Sequence, residues 1–268
     1  YRILAEEGLG GMGIVYKARD EATGKEVAIK TPIRCKGPQE HAVKYLRREI
    51  EALGRINHRN VVEFIDLAFA GGLELMVMEY IDGYGLKAPL ESPVPWERAK
   101  PLFLQLCDAV QAVHESGLIH GDIKPNNVLI TYGGEMGTLK LFDFGLVKFL
   151  DAPHGDVERL PADCSGVILG TLQYLSPEQL EGIDFDHTVD IRAIGMTIYE
   201  TLSGRRLFSD ATAWEIVEWI RSGEPIPSNG HEIKMPKKAQ EIINRALEKD
   251  PKNRPQSAGE MKEALMAA

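Results

Sequence analysis

Apolar and polar positions along this 268-residue chain follow two periods, one in the first third and another in the rest. Residues 1–4, 14–18 and 25–30 are strand-like: in the last, Val27 and Ile29 share one face while Ala28 and Lys30 share the other. Between 38 and 56 the period lengthens. Val43, Leu46, Ile50 and Leu53 recur at helical spacing, with Glu49 on the margin of that stripe. Two further strands, 61–70 and 73–80, flank Gly71-Gly72 and predict a hairpin that completes a sheet of five strands with one helix. A glycine-punctuated link, Ile81-Asp-Gly-Tyr-Gly85, follows. Beyond it the pattern turns helical. Trp96, Ala99, Phe103, Leu106, Val110 and Val113 form a stripe ending near Gly117, and Pro101 is expected to delay or kink its start. Short strands are predicted at 128–130 and 139–142, and helices at 188–203, 212–221, 237–248 and 257–266. Residues 146–169 lack periodicity and read as a long mobile loop. Asp190, Trp214 and Trp219 read as structural. The expectation is an α+β protein of two lobes: residues 1–80 with an antiparallel sheet and one helix, a link at 81–85, and a mainly helical lobe over 86–268. A cleft between lobes is where a ligand is expected.

Charge and cysteine content narrow the classes. A net charge of -9 argues against a general nucleic-acid or anionic-membrane surface. No apolar run is long enough to span a bilayer, and no signal-peptide pattern opens the chain. Cys35, Cys107 and Cys164 lie far apart and form no metal-ligand pair, so a reducing, cytoplasmic setting is expected. The chain begins inside a strand pattern, as a domain cut from something longer would.

The candidate chemistry gathers in a few polar stretches. Leu118-Ile-His-Gly-Asp-Ile-Lys-Pro-Asn-Asn-Val-Leu-Ile130 is a polar run between apolar ones, with Asp122 and Asn127 five positions apart, Lys124 between them and Pro125 stiffening the turn. Phosphoryl transfer needs such a set: a carboxylate for a hydroxyl proton, a cation for the moving phosphate and an amide oxygen for Mg²⁺. A surface turn with accidental polar residues is the plain alternative. Gly8-Leu-Gly-Gly-Met-Gly13 has G-x-G-x-x-G spacing, but a strand follows it, which predicts a glycine-tipped hairpin able to fold over phosphates. A flexible turn fits that stretch as well. Lys30 finds a partner in Glu49 if the helix packs on the sheet. Asp143, between Phe142 and Phe144, is too costly to bury uncompensated in an apolar run, and a divalent cation would resolve that cost. Met78 would stand at the back of the cleft, with the backbone of Glu79 and Ile81 facing an adenine edge.

Taken in order, these stretches resemble the eukaryotic-type protein kinase catalytic domain over essentially the whole chain, and most closely its serine/threonine branch, including bacterial members. The matching residues are Gly8, Gly10, Gly13 and Val15; Val27-Ala-Ile-Lys30; Glu49; His120, Asp122, Lys124 and Asn127; Asp143-Phe-Gly145; Ser176-Pro-Glu178; Asp190; and Arg254. The resemblance implies that Lys30 holds the α- and β-phosphates of ATP and is positioned by Glu49. It implies that Asn127 and Asp143 bind Mg²⁺, with Mn²⁺ as a substitute, and that Asp122 is the catalytic base with Lys124 beside it. Gly8, Leu9, Gly10, Gly11, Met12, Gly13, Val15, Ala28, Met78, Glu79, Ile81 and Leu129 would surround the nucleotide. It further implies a packed column of Leu53, Phe64, Phe144 and His120 tethered by Asp190, an ion pair between Glu178 and Arg254, and a protein or peptide substrate presenting serine or threonine. Lys124 with Thr171 points to those hydroxyls. Three positions depart from the family: Gly121 replaces an arginine, Ser176 an alanine, and Gly85 a polar residue near the ribose. Without that arginine, phosphorylation of Ser165 or Thr171 is not expected to be the main on-switch. A small-molecule phosphotransferase and a non-catalytic scaffold are the rival readings.

Overall fold

The computed structural model describes residues 1–9, 13–32, 39–86, 94–133, 137–151, 172–205, 208, 211–224 and 233–268. Strands β1 (Arg2–Leu9), β2 (Gly13–Arg19) and β3 (Glu26–Pro32) run antiparallel, and helix α1 (Gln39–Gly54) follows them. The hairpin β4 (Phe64–Ala70) and β5 (Leu73–Glu79) then completes a five-stranded sheet in the order β1-β2-β3-β5-β4. Alternation on β3 decides what each face meets. Val27 and Ile29 join Ala18 and Val77 in a small cluster, whereas Ala28 packs with Leu46, Leu53 and Met76 in the main core. Lys30 therefore faces α1.

Strand β4 starts three residues later than the pattern suggests, because Val61 and Val62 are drawn to the other lobe. Val61 bridges Leu141, and the Val62 N–H donates to the Leu141 carbonyl at 3.0 Å. Asn60 fixes this junction, its amide donating to the Leu139 carbonyl (2.8 Å) and to Gln105 (2.9 Å). The link also ends sooner than expected. Gly83–Gly85 forms β6, which pairs with β8 (Val128–Thr131), and β9 (Leu139–Leu141) closes a three-stranded sheet. Gly83 is required by close approach, since a Cβ there would lie 2.1 Å from the Ile130 carbonyl oxygen.

Helix α2 (Trp96–Glu115) runs unbroken through Pro101. The proline forfeits one ladder bond, and the carbonyl left without it belongs to exposed Glu97, where water can satisfy it, so the expected delay does not occur. All six predicted stripe residues are buried. The segment read as a long loop from residue 146 instead begins as a strand, β10 (Lys148–Phe149), paired with β7 (Leu118–Ile119). Residues 152–171, with Cys164, Ser165 and Thr171, lie outside the described residues, as does Cys35.

The other helices are α3 (Pro177–Glu181), α4 (Thr188–Ser203), α5 (Ala213–Ser222), α6 (Lys237–Ala246) and α7 (Ala258–Met266). Helix α4 is buried on every side, as the centre of a helical lobe must be. Trp219 is buried with Ile216 and Ile220 on α5, but Trp214 is 67% exposed and is not the core residue the sequence suggests. No helix among the described residues is long and apolar enough to cross a membrane.

Beneath α3, Arg254 is fully buried against Glu178, with N–O distances of 2.6 and 3.1 Å. Its remaining donors go to the carbonyls of Thr188, Glu248 and Lys249. Removing one partner of such a pair strands the other charge, so Glu178→Ala should cost about 3–5 kcal/mol in urea unfolding, and a loss below about 1 kcal/mol would contradict this role.

Candidate active site

Lys30 reaches from β3 into the space between the lobes. Its ammonium donates to Glu49 on α1 at 2.7 Å and to Asp143, just after β9, at 2.8 Å. Two carboxylates thus share one buried cation. Desolvation works against the charged lysine, but Asp143 and Glu49 outweigh it and raise its pKa. Burial and the neighbouring Asp143 carboxylate lift Glu49 against the pull of Lys30. Burial also opposes ionisation of Asp143, yet Lys30 prevails and holds that carboxyl below its ordinary value. The cation that Asp143 needs in its apolar run is therefore already supplied in part by the protein. Asp143 has φ +68°, a left-handed conformation costly for a non-glycine residue and typical of constrained functional positions.

The loop between β7 and β8 brings Asp122, Lys124 and Asn127 together. Both Asp122 oxygens accept from the Lys124 ammonium (2.8 and 2.6 Å), and Oδ2 also accepts from the Asn127 amide at 2.9 Å. Burial pushes the Asp122 carboxyl up, only partly offset by Lys124. A raised pKa makes this carboxylate a better proton acceptor. The loop is held from below by Asp190 on α4, which accepts from the backbone N–H of His120 (2.8 Å) and of Gly121 (2.9 Å) and pairs with His114 at 2.9 Å. The His120 ring packs on Phe144 with centroids 4.6 Å apart. Its Nδ1 accepts from the Asp122 N–H, and its Nε2 faces the Phe142 carbonyl. A carbonyl only accepts, so His120 is the neutral tautomer with the proton on Nε2. It is a core histidine.

The residues expected on the nucleotide side lie on the strands of the first lobe, in the link and on β8. Ala28 is buried directly opposite Met78, Val15 is paired with Lys30, and Leu129 lies across from Gly85 and Lys140. Gly8 sits at an irregularity in β1, and Gly13 opens β2 where a Cβ would be 2.4 Å from the Thr31 carbonyl oxygen. The Leu9 backbone ends β1. Gly10, Gly11 and Met12 lie outside the described residues. Glu79 and Ile81 begin the link, and the Glu79 side chain is held by Lys140 at 2.6 Å. Lys140 and His114 escaped the sequence reading. A lysine on a short strand and a histidine near a helix end carry no signal until tertiary packing supplies their partners.

A five-stranded sheet capping a helical lobe, with a shared lysine between them and an Asp–Lys–Asn loop beneath, is the architecture of the two-lobed protein kinases. Residues 1–266 match the protein kinase domain, and the chain belongs to that family. It is 34% identical to the serine/threonine-protein kinase pkn2 of Myxococcus xanthus over 272 residues, covering 100% of this chain and 32% of that protein. It is 32% identical to Pkn1 of the same organism (100% and 38%) and 31% identical to PknB of Mycobacterium tuberculosis (97% and 41%). The chain thus spans between a third and two fifths of the length of these relatives.

The family implies ATP and a divalent cation, and the residues present fit both. Asn127 spends its NH₂ on the Asp122 carbonyl and carboxylate, and Asp143 uses Oδ1 for Lys30. The Asn127 amide oxygen and the second Asp143 oxygen remain as hard oxygen donors. No group of three or more His, Cys, Asp or Glu that could hold a metal ion is found among the described residues.

Burial lowers the His120 pKa below its ordinary value. The unfolded chain therefore binds a proton below about pH 6.5 that the folded protein resists, so this residue makes stability fall with decreasing pH there, by at most about 1.4 kcal/mol per unit. Above that pH its contribution is flat. Urea unfolding at about pH 7.5 and 5.5 should show a smaller acid loss in His120→Phe than in the parent, and equal losses would contradict the assignment.

Proposed function

We propose that this chain is the catalytic domain of a serine/threonine protein kinase, transferring the γ-phosphoryl group of ATP to serine or threonine hydroxyls of a protein. The observation that carries this reading is the convergence of Lys30, Glu49 and Asp143 in one ion-paired set above the Asp122, Lys124 and Asn127 loop. Residues 1–80 form the first lobe and the link narrows to 81–82, since Gly83–Gly85 already pairs with β8 of the second lobe.

Lys30, fixed from both sides, orients the α- and β-phosphates. Asp122, with its carboxylate aimed by two donors, positions the substrate hydroxyl and takes its proton. Lys124 lies against that carboxylate and is placed to neutralise charge on the moving phosphoryl group. Mg²⁺, for which Mn²⁺ could substitute, would be held by Asn127 and Asp143 and would neutralise the developing charge on the phosphates. Ala28 and Met78, partners across β3 and β5, would flank the base, with the backbone of Glu79 and Ile81 at its edge. A cytoplasmic setting is part of the proposal, supported by the free, fully buried Cys107.

Incubation with labelled ATP, Mg²⁺ and a peptide library should place label on serine and threonine. Asp122→Asn is expected to lower turnover by about 10²–10⁴-fold with the circular dichroism unchanged. Transfer that is unaffected by Asp122→Asn, or confined to tyrosine, would sink the reading.

A further inference from the structure

The Lys30–Glu49 contact exists only while α1 keeps its place, and the side chains of α1 reach in two directions. Arg47 stays within its own lobe, bonding Glu74 on β5 at 2.8 and 2.5 Å. Arg48 and Arg55 reach the other way. The two are seven residues apart, Arg48 within α1 and Arg55 one residue past its last residue, Gly54. Arg48 donates to the Val147 carbonyl at 3.0 Å, with its guanidinium 5.3 Å from the Phe149 ring centre. The Arg55 guanidinium lies 4.7 Å from that same ring and donates to both oxygens of Asp151 (3.1 and 2.9 Å), while Glu51 braces it at 2.8 Å. Both distances are within the range of cation–π attraction, and the Asp151 and Glu51 carboxylates offset repulsion between the two cations.

Phe149 is buried on β10, opposite Leu118 and so two residues before His120. The far side of β10 is anchored as well. Lys148 bonds Asp184 at 2.5 Å and the Phe185 carbonyl at 2.6 Å. A continuous path therefore runs from α1 through Phe149 to the catalytic loop and the second lobe. The loop itself adds no side chain at its nearest point. Gly121 has φ +76°, its N–H and C=O are held by Asp190 and Gln179, and a Cβ would lie 3.1 Å from the Leu146 carbonyl oxygen.

We propose that Arg48, Arg55 and Asp151, closed around Phe149, form a positioning clamp that holds α1, and with it Glu49, where Lys30 is correctly oriented. The clamp rests on the kinase reading. It acts on the orientation of Lys30 rather than on the space for ATP, so its loss lowers turnover more than nucleotide affinity.

Phe149→Leu keeps apolar volume but removes the ring. Its kcat should fall about tenfold with KM for ATP within about threefold, and amide exchange over residues 39–54 should quicken about tenfold. Phe149→Tyr should restore all three readouts. Arg55→Gln and Asp151→Asn, changes nearer the surface, should move exchange and kcat in the same direction and keep the test open if Phe149→Leu does not fold. Arg47→Gln, which breaks only the contact within the first lobe, should leave kcat unchanged. Unchanged exchange over 39–54 in both Phe149→Leu and Arg55→Gln, or in Arg55→Gln and Asp151→Asn if Phe149→Leu does not fold, overturns the clamp whatever the activity. If the parent protein transfers no phosphate, the kinase reading fails separately, and the exchange data still decide whether α1 is clamped.

Discussion

Lys30 carries its ammonium to a place where water is nearly excluded, and Glu49 and Asp143 make that placement tolerable. Each of the three comes from a different element: β3, α1 and the segment after β9. An unpaired charge at such depth is costly, whereas a charge bonded on both sides is stable and geometrically narrow. The first lobe, its helix and the second lobe are therefore correct together or not at all around this ion. The same constraint makes the site usable for phosphate chemistry, because a fixed cation in a poorly solvated crevice interacts with phosphate oxygens far more strongly than one in water.

The second lobe repeats this logic with different partners. Asp190, buried on α4, turns its oxygens to two successive backbone N–H groups of the catalytic loop and to His114. Arg254 spends its donors on Glu178 and three carbonyls. Both residues convert the rigidity of a buried helix or ion pair into a defined path for an irregular chain segment. An irregular loop needs such external support, because its own backbone groups do not satisfy one another as those of a helix do.

Much of this was legible before any coordinates. The alternation on β3 placed Ala28 and Lys30 on the inward face, the helical period placed Glu49 beside the buried stripe, and both hold. The errors have local causes. Pro101 suggests a delayed or kinked start, yet α2 begins at Trp96 and runs through it. The glycines of 81–85 mark a link in the sequence pattern, and Gly83 is there because another strand passes too close for a side chain. Lys148 and Phe149 were read as loop, since a two-residue strand has no period to detect. Trp214 was counted as structural because its residue type is usually covered, while its position on α5 turns it outward.

What the amino-acid order determines by itself is the longer helices and strands and the identity of the reactive groups. Periodicity and residue type are local properties, and they survive without knowledge of what packs where. What only the tertiary structure decided is which charges meet. That Lys30 is shared with Asp143, that His114 supports Asp190, that Lys140 holds Glu79 and that Arg48 of α1 and Arg55 just past its end close on one phenylalanine depend on separations of tens of residues and more. Hydrogen bonds and ion pairs act over a few ångströms, and distance along the chain says nothing about such proximity until the core has folded.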